Sequence, residues 1–320
     1  MVNSIKDLKK GQTDDVFLFC RTYDTNMSRN GKDFQRVNVL DLNSNEYRIL
    51  LFDNLMDFDN SIIIRATIKA EEFNGTMSYI MNKYQLTNDK SALDFLPKST
   101  IDVKETWAEL MKYIALLPDD LKTLVCETIK LNKKKYVSNP LDITGAYATV
   151  SGLLEATLKL TQISYQIGVE LKLNLDLIVS SAILYYVGRI KKIKSDFSYT
   201  PADVLYHNGF LSAMELERSL SLLDRENKQS LNPETVNLII HILLAQDRGI
   251  ECCIPEARVL KGVNSIILEV RGMKENLNKA KEGSILNSTN TYAKRIYKPY
   301  FDNSKGEKEV EEEKAWIREM

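Results

Sequence analysis

The sequence predicts a multidomain α and β chain: a small five-stranded β-barrel over 1–86, a linker over 87–102, an all-α domain over 103–301 and a charged tail over 302–320. Three observations carry this reading. Between Val16 and Tyr84, runs rich in β-branched and aromatic residues alternate with turn signals and show little 3.6-residue periodicity. From Val103 to Lys281, apolar residues recur at i, i+3, i+4 and i+7, the pattern of helices that bury one face. Beyond Phe301 the segment DNSKGEKEVEEEKAWIREM is highly charged.

The strands follow in order. VFLFCRTY leads to a turn at Asn30-Gly31, and FQRVNVLDL runs on to the Asn43-Ser44-Asn45 cluster. EYRILLF and SIIIRATIKAEEF come next, and Asn74-Gly75 is a two-residue hairpin signal before TMSYIMNKY. Five short strands in succession fit an OB-type barrel, which removes its sheet edges by closure and presents one face to ligands. The predicted helices span 103–117, 119–134, 145–171, 174–190, 210–224, 232–247 and 257–280, with Pro118, Asn174, Pro201 and Pro233 near their boundaries.

Composition narrows the function classes. With 44% hydrophobic and 27% charged residues the 320-residue chain is an ordinary globular sequence. Its formal net charge of -1 means that any nucleic-acid affinity must come from a local basic face. Cys20, Cys126, Cys252 and Cys253 form no C-x-x-C pair, which argues against a zinc site or a disulfide framework. The N-terminus MVNSIKDLKK lacks a signal-peptide apolar stretch, and no window is apolar enough to span a bilayer, so a cytoplasmic location and no membrane partner are expected. His207 and His241 are the only histidines, which excludes a His-rich metal centre.

Strand alternation turns Val37 and Val39 to one face and Phe34, Arg36 and Asn38 to the other; likewise Tyr47, Ile49 and Leu51 oppose Arg48, Leu50 and Phe52. One face is thus mixed basic and aromatic. Single strands bind such faces by stacking bases on rings and pairing phosphates with Arg or Lys. Phe34, Arg36, Arg48 and Phe52 are therefore the leading candidates for contacting single-stranded RNA or DNA, with Arg21, Tyr23, Lys69 and Phe73 as neighbours. The competing reading makes the aromatics barrel core and the arginines its solvated exterior. Lys133-Lys134-Lys135 and the run Arg189, Lys191, Lys192, Lys194 are candidates for extending a phosphate track, although charge runs are more often solvated helix ends. The tail residues Glu311-Glu312-Glu313 are a candidate competitor for a basic groove.

The order barrel, linker, helical domain resembles the YhaM-type 3'-to-5' exoribonucleases, which pair an OB fold with an HD phosphohydrolase domain. The matching strings are NGKDF from Asn30 to Phe34; RILLFD from Arg48 to Asp53, where the family usually has tryptophan in place of Phe52; VSGL from Val150; AIL and VG in the stretch from Ala182 to Arg189, with Tyr185-Tyr186 between them unmatched; IIHILLA from Ile239 to Ala245; and RIYKPY from Arg295 to Tyr300. The resemblance implies a helical domain of the HD type, whose chemistry needs histidines and aspartates to hold one or two divalent metals that activate water. Here that set is degenerate. The histidine after VSGL aligns with Ala156, the signature His-Asp pair with Tyr185-Tyr186, the histidine near NGFLSA with Ala213, and the His-His pair with Gln246-Asp247. Only His241 stays in register, and the last aspartate falls near Glu269 or Val270.

The expectation is a single-stranded nucleic-acid-binding pseudoenzyme with no cofactor, no metal and no catalytic residue of its own. Tyr185 and Tyr186 are expected to fill the emptied cavity. His241 reads as a core or pocket histidine and His207 as a loop residue. Two alternatives remain open. One is an active 3'-to-5' exonuclease using Mn or Mg on a rebuilt carboxylate set of Asp247, Asp196, Asp203 and Glu155. The other is a docking module for a protein partner or a homo-oligomer.

Overall fold

In the computed structural model, the structure describes residues 4–28, 30–58, 61–73, 75–143, 145–194, 197–225, 231–278, 280–287 and 294–300. Five strands form a closed barrel: β1 (Thr13–Met27), β2 (Asp33–Leu40), β3 (Glu46–Leu51), β4 (Ile62–Phe73) and β5 (Thr76–Leu86), in the order β1-β2-β3-β5-β4. The pairings are antiparallel except for β3 with β5, where Leu50 faces Ile80 in parallel and closes the sheet. This is an OB-like barrel with the five strands the sequence predicts.

Val16, Leu18 and Cys20 of β1, Val37 and Val39 of β2, Ile49 and Leu51 of β3, and Ile64, Ala66 and Ile68 of β4 fill the interior at period two, with Met81 from β5 among them. The β2–β3 connection is fixed by the buried carboxylate of Asp41, which accepts from the Ser4 hydroxyl at 2.6 Å and from the Asn43 and Asn45 amides at 2.9 and 3.0 Å.

The helical region comprises α1 (Val103–Ala115), α2 (Asp119–Lys130), α3 (Lys133–Ser138), α4 (Gly152–Glu170), α5 (Leu175–Leu184), α6 (Arg189–Lys192), α7 (Pro201–Leu205), α8 (Asn208–Arg225), α9 (Pro233–Leu244) and α10 (Pro255–Asn278). Local chemistry sets the starts. Asp102 and Asn174 accept from the first backbone amides of α1 and α5, and Pro201 and Pro233 occupy the first turns of α7 and α9.

Several spans differ from the periodicity. The helix predicted over 145–171 starts at Gly152, because Gly145, Tyr147 and Ser151 all take positive φ. A Cβ at Gly152 would lie 2.1 Å from the Tyr147 carbonyl oxygen, so the chain needs glycine there. The helix predicted over 174–190 breaks after Leu184 into turns and the single turn of α6. Gly188 lies against α8 there, where a Cβ would come within 2.6 Å of the Ser212 amide nitrogen.

The expected linker over 87–102 is anchored at Phe95 and Leu96. Phe95 and Leu96 are buried with Phe19 and Leu40 of the barrel and Phe197 of the helical region, and the Phe19 and Phe95 rings stack at 6.0 Å. Barrel and helices accordingly share one compact unit, Met1–Asn264; the second unit is Ser265–Met320. Within the second unit lie the end of α10 and a hairpin of β6 (Ile285–Asn287) and β7 (Arg295–Tyr297), paired through Leu286 and Ile296. Strands of three residues are too short for alternation to betray them. The tail over 302–320, with Glu311-Glu312-Glu313, lies outside the described residues.

Candidate nucleic-acid interface

The outward side chains of β2 and β3 form a ladder whose rungs follow from the register. Arg36 is opposite Leu50, Asn38 opposite Arg48, and Leu40 opposite Glu46. One step beyond the Gln35–Leu51 pair, the Phe34 and Phe52 rings stack at 5.6 Å with planes 28° apart. Phe52 is 46% exposed, and the guanidinium carbon of Arg36 lies 5.6 Å from the Phe34 ring centre. Arg36 has no carboxylate partner among the described residues. A cation held over an exposed ring in this way keeps its charge available to solvent.

Toward the other end of the ladder, Arg21, Thr22, Asn38, Val39, Glu46, Tyr47 and Arg48 line a depression of about 430 Å³. Two ion pairs engage its arginines. Arg48 of β3 reaches Asp24 of β1 at 2.5 Å, and Arg21 of β1 reaches Glu46 of β3 at 3.3 Å, so each pair bridges over the intervening β2. Arg21 lies where the β1–β2 register slips between Cys20 and Thr22, and the bulge brings Thr22, opposite Asn38, onto the same outward face. Asn38 sits between the pairs and donates to the Thr22 hydroxyl at 2.8 Å. Burial holds the Tyr47 phenol above its ordinary value of 10.0.

The remaining barrel candidates separate from this group. The bulge also turns Tyr23 toward the barrel interior, where its ring meets Phe58 edge-on at 4.9 Å and its hydroxyl donates to Asp57. Expecting Tyr23 on the outward face assumed unbroken alternation. Lys69 lies on β4, opposite Ile80, and pairs with Glu71 at 2.6 Å. Phe73 ends β4, and its side chain lies outside the described residues.

In the helical region, Ala156 is buried in α4, and Tyr185 and Tyr186 are buried just after α5 with rings edge-to-face at 5.3 Å. The Tyr186 hydroxyl donates to the Asn264 side chain, and burial pushes both phenols well above 10.0. The Tyr185 hydroxyl has no partner in the described structure, while its backbone oxygen accepts from Ser212, next to buried Ala213, and from Gln246, each at 3.1 Å.

Asp247 is committed elsewhere. Its carboxylate accepts the Gly209 and Phe210 amides at 3.0 and 3.3 Å and so caps the N-terminus of α8. His241 is half-buried, and its Nε2 accepts the Cys253 amide at 3.0 Å; His207 is exposed.

The carboxylates of the nuclease alternative are dispersed. Asp203 pairs with Lys192 at 3.3 Å, Glu155 accepts from Ser99 at 2.5 Å, and Asp196 lies outside the described residues. No cluster of three or more His, Cys, Asp and Glu side chains is placed to hold a metal among the described residues. The second basic run is also engaged: Arg189 pairs with Asp142, Lys191 with Glu215 and Lys192 with Asp203, so those cations do not form an open track. Lys133 lies over the Trp107 ring at 5.3 Å, with Lys134 and Lys135 exposed beside it.

No protein-family model and no solved structure matches the chain. No described helix is long and apolar enough to cross a membrane. The residues that sequence reasoning passed over are Asp24, Glu46 and Thr22, while Asn38 was placed on the outward face without a role. Asp24 and Glu46 are charges of the opposite sign to the one sought, and only the cross-strand register brings them to the arginines.

Proposed function

We propose that the outward face of β1, β2 and β3 binds single-stranded nucleic acid, RNA or DNA, and that the helical region is an HD-like domain without metal-dependent nuclease chemistry. The observation that carries the reading is the Phe34–Phe52 stack, with Phe52 exposed and with Arg36, which has no carboxylate partner among the described residues, over the Phe34 ring. Rings offer a surface on which any base stacks, and a guanidinium at its edge meets the phosphate that follows. The outward ladder advances about 6.7 Å per rung, so successive nucleotides of an extended strand have successive rungs to meet.

The non-catalytic half of the reading is supported by what the counterparts of the family's ligands do. Tyr185 and Tyr186 fill the interior, Asp247 caps a helix, and His241 accepts a backbone amide. The test is a paired assay on the full chain: anisotropy with labelled single-stranded RNA and DNA across a salt series, and the same oligomers scored for shortening with Mn or Mg. Binding without shortening is expected. Shortening that is lost with EDTA and with Asp247→Ala would establish the nuclease alternative instead.

A second reading, docking to a protein partner, is favoured by a specific patch. Val204, Leu205, Tyr206, Phe210 and Met214 on α7 and α8 are exposed, and Tyr206 stacks on Phe210 at 5.6 Å. An absence of binding in both arms of the assay would move the function to that patch.

A further inference from the structure

The two ion pairs that cross β2 have a shared geometry. Asp24 and Arg21 come from β1, Arg48 and Glu46 from β3, and each strand contributes one acid and one base. The pairs run in opposite senses: Arg21 and Glu46 both line the depression, and Arg48 reaches from its lining to Asp24 beside it, with Asn38 in the lining between them. Two positive and two negative charges offset one another there, while Arg36 beside the aromatic stack has no carboxylate partner among the described residues.

Resting on the reading of this face as a nucleic-acid site, we propose that Asp24 and Glu46 are a clasp: their carboxylates hold Arg48 and Arg21 in the place of strand phosphates and must be displaced for a single strand to fill the depression. Carboxylate and phosphate engage a guanidinium in the same forked geometry, so one substitutes for the other without moving the arginine far. The exchange is accessible because both acids are largely exposed, Asp24 at 58% and Glu46 at 76% of the side chain, where a single ion pair contributes little. Binding then proceeds from the open end to the closed one. A base settles on Phe34 and Phe52, Arg36 takes the adjoining phosphate, and the next phosphates compete for Arg48 and Arg21. A polyanion that cannot stack on the rings must open the clasp without that anchorage, so the device selects strands with free bases over charge alone.

The experiment uses the full chain and three proteins: wild type, Asp24→Asn with Glu46→Gln, and a control, Glu109→Gln with Asp119→Asn, which makes the same charge change at exposed pairs of α1 and α2. Anisotropy is read with mixed-sequence single-stranded RNA and DNA oligomers from low to high salt, and thermal melting checks that all three fold. The clasp variant should bind roughly five- to tenfold tighter at low salt, the scale on which two exposed pairs compete. The gain should shrink as salt rises, because screening weakens the intramolecular pairs as well, and the control should match wild type. Equal affinity of wild type and clasp variant, weaker binding by the clasp variant, or the same gain in the control would overturn the clasp while leaving the binding reading intact. No binding by any of the three would overturn the binding reading and the clasp together.

Discussion

The Phe34 ring stacks on the Phe52 ring at 5.6 Å across the ends of β2 and β3, on the outer surface of the barrel and clear of its core. A stacked pair in solvent keeps a broad flat face free for a third ring. Phe34→Ala should weaken binding to single-stranded oligomers by roughly five- to a hundredfold, matching the 1–3 kcal/mol that a stacked base contributes. Phe52→Ala should act alike, and the double variant should lose little more than either single one, since the two rings form one platform. Anisotropy titrations read the affinities. Melting temperatures should stay close to wild type, because neither ring belongs to the barrel core.

The carboxylate of Asp247 satisfies two backbone amides at the start of α8, and Gly209 makes this possible: a Cβ there would sit 2.3 Å from the Leu243 oxygen. Asp247→Ala should destabilise the chain by about 2 kcal/mol through amides left without a partner. Thermal melting should show a drop of several degrees, and binding to single strands should be unchanged. Unchanged melting together with altered nucleic-acid processing would assign Asp247 to chemistry and not to capping.

Most of the barrel was legible in the residues, and the reason is periodicity. Val37 and Val39 of β2 and Ile49 and Leu51 of β3 are apolar and buried at alternate positions, so face and strand could be read together. The bulge at Arg21 was not legible, because nothing in CRTY marks the slipped pairing that turns Thr22 outward and Tyr23 inward. The helical region was readable where an amphipathic stripe ran to a cap, as in α1 and α9. It failed at Gly145 to Ser151, where positive φ values stop the helix that the apolar spacing favours. The state of the basic residues was least legible of all. Arg48, Arg21, Lys191 and Lys192 stand in the sequence as charges, and their neutralising partners are brought in by pairing between distant segments.

Phe95 joins the two halves of the larger unit by stacking on Phe19 beside Leu40, Leu96 and Phe197. Phe95→Ala should cost about 3–5 kcal/mol, the range for removing a buried aromatic ring. Because the joint is lost and the barrel core is not, barrel and helices should then unfold in separate steps where wild type gives one. Differential scanning calorimetry would resolve this, and limited proteolysis should cut first within 87–102. A single transition at unchanged temperature would show that the joint does not couple them.

Cys20 points into the barrel with Leu18 and Val39, and burial pushes its thiol up to about 12 from an ordinary 9.0. The folded chain therefore keeps the neutral thiol at pH values where the unfolded chain forms thiolate. Stability from this group is complete below pH 9 and is lost as pH rises from 9 toward 12, by at most about 1.4 kcal/mol per pH unit. Cys126, also raised by burial, adds to the same window, and the buried phenols of Tyr136, Tyr185 and Tyr186 add above pH 10. Denaturant midpoints taken at half-unit steps from pH 8 to 10 should fall, and Cys20→Ala should flatten that fall while lowering the midpoint throughout through the small cavity it leaves. A thiol-reactive dye at pH 8 should label exposed Cys253 in the native protein and spare Cys20 until denaturant is added. Rapid native labelling of Cys20 would mean that the barrel opens locally at the bulge, the one place where its β1–β2 hydrogen bonding is already interrupted.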